Sequence, residues 1–478
     1  MYALLYALLW PKLGGKLYIE VADTRTYLTA VEEWLATGEY GNLGYQEGRI
    51  PGYGALYLLF AAWLPTEAAR TALVLLQILL TLLSTHLLGL LAVRAAQKGV
   101  AYWAVVVPKL LYLPLVKSAL YLQTESAAVA LSLTSLYLFV RMIDEGNSTH
   151  ARRWLVGAAT VAALTVFVKP IFLLFFGLFG VAWLLGVVSL GRMTVFAGIL
   201  VLPLAGWALR NYLKYDKFIL LQSSVYYNST RFDAQNLAHS TSPGKLFYGP
   251  HAQELPRYLM TIGADITWWN PQARELRWLL GEVPVHDFPF QPWQLARPAE
   301  DRLRLDSLRR VIVALLPPQP DTALARARLD SVNRIAAKLR LSLQQEPSLQ
   351  RWGRVKSRLA YDFVAHSGTV NLWGQPYAEL NLLQKGLKWL ASGLYLAILL
   401  AFGLVLFWGL WSWARLGNKP HWLVLLVTLL GGYLLCIYPL GFHLVEYRYI
   451  ETALPFLIWV VGVEAVGCNK SKKDMRKH

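Results

Sequence analysis

Long apolar runs separated by short polar connections dominate the chain. A helix needs about 20 mostly apolar residues to cross a bilayer, and fewer where helices pack against one another. By this criterion the sequence predicts ten spans. They lie at about 2–18, 68–93, 99–117, 124–142, 153–168, 170–187, 192–209, 388–414, 421–440 and 448–467. The pattern therefore predicts an all-α polytopic membrane protein.

The positively charged clusters orient these spans, because Lys and Arg concentrate in cytoplasmic loops. Ten spans with both termini inside place every main cluster in the cytoplasm. The apolar run Gly52–Leu64 would break this alternation if it crossed the membrane, so we predict that it lies on the outer face. The clusters are Arg94/Lys98, Arg141/Arg152/Arg153, Arg192, Arg415/Lys419 and the basic tail.

The same topology divides the chain into four parts. Residues 1–211 form an N-terminal transmembrane core of seven spans, with a first outer loop at 19–63. Residues 212–385 form an extracytoplasmic, mainly helical domain, residues 386–467 the C-terminal transmembrane helices, and residues 468–478 a basic cytoplasmic tail. Within the outer domain, helical patterns occupy Ala299–Leu315, Asp321–Leu343 and Leu349–Ala365.

Composition supports this class. The chain has 478 residues, of which 56% are hydrophobic and only 16% charged, and its mean hydropathy is +0.38. A soluble domain carries about 25% charged residues, so the values exclude a soluble enzyme, a disordered chain and a disulfide scaffold. The net charge of +17 is carried mainly in loops and at the ends of apolar runs. It therefore points to lipid phosphates and not to nucleic acid.

Charged residues at membrane depth are costly, so each is a functional candidate. They gather at the predicted outer ends of the spans. Asp23 has two compatible interpretations: it is the N-cap of an amphipathic helix over Thr24–Leu35, and its carboxylate is placed to accept a proton from a hydroxyl. The other candidates are Arg49, Lys109, Lys117, Glu125, Lys169, Arg210, Glu446, Arg448 and Glu451.

Three of the cations also have two interpretations each. Lys169, followed by Pro170, interrupts a long apolar stretch. It either snorkels to a nearby helix end or faces a lipid phosphate. Arg210 and Arg448 either anchor helices to headgroups or bind the same phosphate.

Several short motifs occur in a fixed order around these residues. They are Asp23-Thr24-Arg25-Thr26-Tyr27, Arg49-Ile50-Pro51-Gly52-Tyr53, Thr124-Glu125, Lys169-Pro170, Trp207-Ala208-Leu209-Arg210-Asn211-Tyr212 and Glu446-Tyr447-Arg448-Tyr449. In this order the sequence resembles the GT-C superfamily of membrane glycosyltransferases. The resemblance lies with the branch of the protein mannosyltransferases and the lipid A aminoarabinose transferase, and covers about residues 1–230 and 385–467.

The resemblance implies a GT-C-like helix bundle that moves one sugar from a polyprenyl-phosphate donor to an acceptor hydroxyl on the outer face of a bacterial inner membrane. The acceptor is a glycan, a lipid or a protein. Asp23 would be the base, and Arg210, Lys169 and Arg448 would bind the donor phosphate. No cofactor is certain, and a divalent metal is possible. Residues implied in donor or acceptor binding are Arg49, Tyr53, Tyr27, Glu125, Asn211, Tyr212 and Glu446.

Two other functions remain open at this point. A transporter or flippase for a lipid-linked glycan would need cations distributed through the depth of several spans, whereas here they collect at one face. An outer-face glycan polymerase would be expected to concentrate arginines in its outer loops, as in Arg302–Arg340. The simpler interpretation of that stretch is a solvated helix face paired with Asp301, Asp306 and Asp330.

Overall fold

The structure is a computed structural model. It describes residues 16–20, 24–40, 50–215, 218, 220, 254, 255, 258, 299–315, 322–345, 379–416, 421–437 and 447–467. Helices account for nearly all of these residues, and their one isolated β-bridge joins Ile19 to Tyr121. The all-α prediction is confirmed for this part of the chain.

The chain forms two compact units. One contains Met1–Gln222, His366–Ile437 and Glu446–His478, and the other contains Ser223–Ala365 and Tyr438–Val445. In the first unit the helices are α1 (Thr24–Thr37), α2 (Gly52–Ala61), α3 (Thr66–Ala96), α4 (Val100–Leu111), α5 (Leu113–Ser118), α6 (Thr124–Asp144), α7 (Thr149–Val168), a 3₁₀ turn (Pro170–Leu174), α8 (Phe175–Leu184), α9 (Leu190–Tyr215), α12 (Leu382–Leu416), α13 (Trp422–Cys436) and α14 (Tyr447–Val466). In the second they are α10 (Ala299–Leu315) and α11 (Thr322–Gln345).

Five helices among the described residues, α3, α6, α7, α9 and α12, are long and apolar enough to cross a bilayer. The chain is therefore an integral membrane protein. The apolar helices α2, α4 and α13 and the segment Pro170–Leu184 are shorter. Most of the predicted first span, at about 2–18, lies outside the described residues.

The predicted third span, at about 99–117, is not one helix. It breaks at Tyr112, whose φ of −79° and ψ of 86° are not helical, and α5 begins at the next residue. Pro114 explains the break, because proline has no N–H to donate and its ring clashes with the preceding turn. The first turn of a new helix tolerates it, and Pro114 lies there.

Helix α14 is central to the first unit, where it packs against α3, α4, α6, α12 and α13. Its residues Ile450–Val460 are all buried. Gly462 permits the approach to α4, because a Cβ atom there would come within 2.9 Å of the Ala104 carbonyl oxygen. Close packing of this kind, with small residues at the contacts, is typical of membrane helix bundles.

Hydrogen bonds join helix ends at the side that the sequence predicts to be cytoplasmic. The Arg94 guanidinium donates to both carboxylate oxygens of Asp144, with the shortest contact at 2.7 Å. Arg192 donates to the Gly146 carbonyl and to Asn147. Lys98 donates to the Val466 carbonyl, at the end of α14, at 2.7 Å. The cations that the sequence predicts to set the orientation of the helices therefore also make contacts within the protein.

In the second unit, α10 packs against α11, and the sequence prediction of a helix over Ala299–Leu315 is confirmed. Asp301 is buried, pairs with Arg304 at 2.8 Å and accepts a hydrogen bond from Ser342. Asp306 pairs with Arg309 at 3.7 Å. These contacts agree with the interpretation of the arginine-rich stretch as a paired helix face.

Candidate functional site

A buried ion pair joins two of the residues singled out in the sequence. The Lys169 ammonium lies 2.8 Å from a Glu125 carboxylate oxygen, and their side chains are only 7% and 6% exposed. Glu125 is in the first turn of α6, and Lys169 is the extended residue that ends α7 before Pro170. The snorkelling interpretation of Lys169 is therefore wrong, because the side chain points into the protein and meets a carboxylate.

Two further buried charges belong to the same cluster. Lys117, near the end of α5, and Glu451, in α14, are 6% and 5% exposed. Helix α14 packs against α6, which carries Glu125 in its first turn, and Glu451 lies near Glu125, Lys169 and Lys117. We call these four residues the charge cluster. Among the described residues, one carboxyl oxygen of Glu451 is buried and has no hydrogen-bond partner.

The motif around Gly52 positions the end of α7 that carries Lys169. A Cβ atom on Gly52 would lie 2.3 Å from the Phe167 carbonyl carbon and 2.5 Å from the Val168 nitrogen. Only glycine permits this approach of α2, since contacts under 3 Å with backbone cannot relax. The Pro51-Gly52 sequence thus lets α2 start directly against the residues before Lys169.

Tyr53 is fully buried, and its hydroxyl donates to the Gln77 side-chain oxygen at 2.6 Å. The Gln77 amide in turn donates to the carbonyls of Ala119 and Tyr121. The Tyr27 ring meets the Tyr53 ring edge to face, with centroids 5.4 Å apart. The hydrogen bond of Tyr53 thus joins α2 to α3. A direct role in binding sugar stays a prediction.

Arg210 lies at the end of α9 between two aromatic rings. Its guanidinium carbon is 4.9 Å from the Trp207 ring centroid and 5.9 Å from that of Tyr40. One nitrogen donates to the Tyr40 carbonyl at 2.7 Å and another to the Asn211 side-chain oxygen at 2.8 Å. Asn211 is fully buried, so the arginine is fixed in the protein and is not a loose headgroup anchor.

The first turn of α2 links Arg210 to the charge cluster. Gly52 contacts the end of α7, and a Cβ atom on Gly54 would lie 3.5 Å from the Tyr40 hydroxyl. Tyr40 is the residue whose carbonyl accepts from Arg210. The first turn of α2 therefore contacts both the backbone that precedes Lys169 and Tyr40, the residue that accepts a hydrogen bond from Arg210.

The other predicted site residues are placed less completely. Asp23, Arg49 and Glu446 lie outside the described residues, and only the backbone of Arg448 is described, in the first turn of α14. Thr24, which follows Asp23, donates to the Leu122 carbonyl at 3.1 Å. Tyr212 is 52% exposed.

Glu451 and Lys117 are the residues that sequence reasoning left out of its predicted site. Their signal was present, since each is a charge beside an apolar run. A pattern along the chain could not show that α5, α6, α7 and α14 bring these charges together. The described residues contain no group of three or more His, Cys, Asp or Glu side chains that could hold a metal ion, and metal dependence stays a prediction.

Chemically, the arrangement combines fixed cations with buried surroundings. A lysine and an arginine held in place before substrate arrives stabilise negative charge that develops on a leaving group, because no reorganisation is needed at the moment of reaction. Arginine is suited to a phosphate because its planar donors match the oxygens. The arrangement therefore suits departure of a phosphate.

No protein-family model matches the chain, and no curated protein does. Two solved structures are similar to it, both of ArnT from Cupriavidus metallidurans. The apo structure has a TM-score of 0.36 and 15% identity, and the structure bound to undecaprenyl phosphate has a TM-score of 0.37 and 16% identity. Each match covers 97% of this chain and 76% of the other. A likeness with TM-scores this low does not establish a shared fold.

Proposed function

We propose that the chain is a membrane glycosyltransferase that moves a single sugar from a polyprenyl-phosphate donor to an acceptor hydroxyl on the outer face of the membrane. The observation that carries the proposal is the buried Lys169–Glu125 pair. It gathers two residues of the GT-C-like motifs, separated by 44 positions, beside the α2 turn that also leads to Arg210. The proposal therefore rests on the motifs together with their convergence.

Transfer requires the sugar–phosphate bond to break and a bond to the acceptor oxygen to form. The electrons of the broken bond remain on the phosphate oxygen, where Lys169 and Arg210 stabilise the charge. A base takes the proton that the acceptor hydroxyl loses. The products are a glycosylated acceptor and a polyprenyl phosphate.

Asp23 is our candidate for the base. The next residue, Thr24, donates a hydrogen bond to the Leu122 carbonyl, three residues before Glu125. The residues that follow Asp23 are thereby held against the segment that precedes Glu125. Arg49, Arg448, Glu446, Tyr27 and Tyr212 are proposed to complete the donor and acceptor sites on the basis of the motifs alone. Asn211 is proposed to act indirectly, because it accepts a hydrogen bond from Arg210 and so orients the guanidinium group.

The test is purified protein incubated with a panel of polyprenyl-phosphate sugars, with release of the lipid phosphate as the readout. Asp23→Asn keeps helix capping, because Asn and Asp are comparable N-caps, and removes the base. We expect unchanged thermal stability and turnover reduced by about 10²–10⁴-fold. More than half of wild-type turnover in a stable Asp23→Asn protein would remove Asp23 from the mechanism.

A transporter of lipid-linked glycans is the second candidate, and Lys109 is the observation in its favour. This lysine in α4 is 4% exposed and donates to the Ser84 hydroxyl at 3.2 Å, so an ionisable residue that is not part of the charge cluster lies inside the bundle. In sealed vesicles a transporter would move the intact glycolipid without cleaving it. Release of polyprenyl phosphate with no translocation would decide for the enzyme.

A further inference from the structure

Glu451 is one of seven described residues with a buried side-chain polar atom that has no hydrogen-bond partner; the others are Glu33, Arg70, Ser126, Trp207, Arg309 and Trp459. Glu451 is 5% exposed, and one of its carboxyl oxygens has no hydrogen-bond partner among the described residues. Buried acceptors without a partner are rare, because losing the hydrogen bonds of water costs free energy that nothing repays. Such an oxygen is therefore available to a ligand that brings a hydrogen-bond donor.

The surroundings of Glu451 show which ligand group would reach it. It shares the charge cluster with Lys169 and Lys117, and Lys169 is the proposed contact of the donor phosphate. A phosphate held by the cluster carries its sugar within one bond, and that sugar presents hydroxyl or amino groups, which are hydrogen-bond donors.

We propose that Glu451 is a specificity-determining residue that accepts a hydrogen bond from a hydroxyl or amino group of the transferred sugar. The inference rests on the proposed function and deepens it, because it divides the cluster into two tasks. The lysines take the phosphate, which every donor shares. Glu451 takes the sugar, which differs from donor to donor.

The experiment compares two ligands that differ only in the sugar: a polyprenyl phosphate and the same lipid phosphate with its sugar attached. In Glu451→Leu, affinity for the glycosylated lipid should fall by about 2- to 10-fold, the value of an ordinary hydrogen bond. Affinity for the free polyprenyl phosphate should not fall, because the lysines that bind the phosphate remain. Glu451→Gln keeps a carbonyl acceptor, so its loss should be smaller and again confined to the glycosylated lipid.

Glu464→Leu is the matched control, since it makes the same substitution at an exposed position of α14; both affinities should be unchanged. A Glu451 variant that loses affinity for both ligands equally would show a merely structural role and overturn the inference. So would unchanged affinity for the glycosylated lipid. If Glu451→Leu fails to fold, the Gln variant alone decides by the same criterion. Failure of the wild-type protein to bind either lipid would instead overturn the proposed function.

Using a ligand with an amino sugar and one with only hydroxyl groups separates the two donor types. A carboxylate pairs more strongly with an ammonium group than with a hydroxyl. If Glu451 accepts from an amino group, the Leu substitution should therefore cost more affinity for the amino sugar. If it accepts from a hydroxyl group, the substitution should cost similar affinity for both sugars. An equal and zero cost for both sugars would again overturn the inference.

Discussion

The Glu125→Gln substitution tests whether the buried ion pair supports the fold. At the observed 2.8 Å separation and an effective dielectric constant of about 20, the attraction between the charges is about 6 kcal/mol. Gln retains an oxygen that accepts a hydrogen bond, worth about 1 kcal/mol. The Lys169 ammonium would nevertheless be buried without its counter-charge, so we expect the free energy of unfolding to fall by about 3–5 kcal/mol.

The control is Glu145→Gln, the same substitution at the other end of α6. Glu145 pairs with Arg141 at 3.4 Å, but their side chains are 33% and 41% exposed, and such a pair contributes under about 1 kcal/mol. Equilibrium unfolding of both variants in the same mixed micelles measures the difference. Equal losses in the two variants would refute the claim that the Lys169–Glu125 pair is energetically distinct.

A double variant separates stability from function. Glu125→Gln combined with Lys169→Met removes both charges, so most of the lost stability should return, because a buried ion pair can be replaced by neutral groups at little net cost. Sugar transfer should remain low, since the proposed phosphate contact is gone. Recovery of transfer together with stability would show that Lys169 serves the fold alone.

Three other predictions concern packing, donor binding and topology. Gly52→Ala should destabilise the protein by about 1–3 kcal/mol, because a Cβ atom would collide with the end of α7. Gly198→Ala in α9 meets nothing within 4 Å and should be neutral or stabilising in the same unfolding assay. Arg210→Ala should weaken binding of polyprenyl phosphate by about 1.5–3 kcal/mol in titrations, and Arg210→Lys should restore only part of it. Cysteines introduced at positions 240 and 471, in place of Ser240 and Ser471, should be labelled from outside intact cells only at the first.

Local chemistry made much of the helical architecture predictable from the sequence. The helix over Ala299–Leu315 has the same bounds in the sequence prediction and in the structure, because its apolar positions recur at helical spacing and a proline pair follows it. The break at Tyr112 was missed, although Pro114 signalled it. A hydropathy criterion treats an apolar run as continuous, because it does not account for the backbone N–H that proline lacks.

The pairing within the site could not be predicted in the same way. The sequence identified Lys169 and Glu125 as unusual charges, but their contact spans 44 positions and depends on α6 packing against α7. The need for glycine at position 52 is equally non-local, because a side chain there would collide with the backbone of another helix. Tyr53 was expected to bind sugar, yet its burial follows from Gln77 on α3, which no property of the first loop reveals.

The contacts of Arg94 and Lys98 have a consequence for how the chain is inserted. The chain is synthesised from its N-terminus. Arg94 is therefore made 50 residues before Asp144, and Lys98 is made 368 residues before Val466. Before Asp144 and Val466 are synthesised, Arg94 and Lys98 cannot make these contacts and can interact with anionic lipids, which is when we expect them to orient the nascent helices. Once their partners arrive, the same cations are bound within the bundle. The contact of Lys98 with Val466 thus lets α14, which is synthesised late, stabilise an orientation that is chosen early in translation.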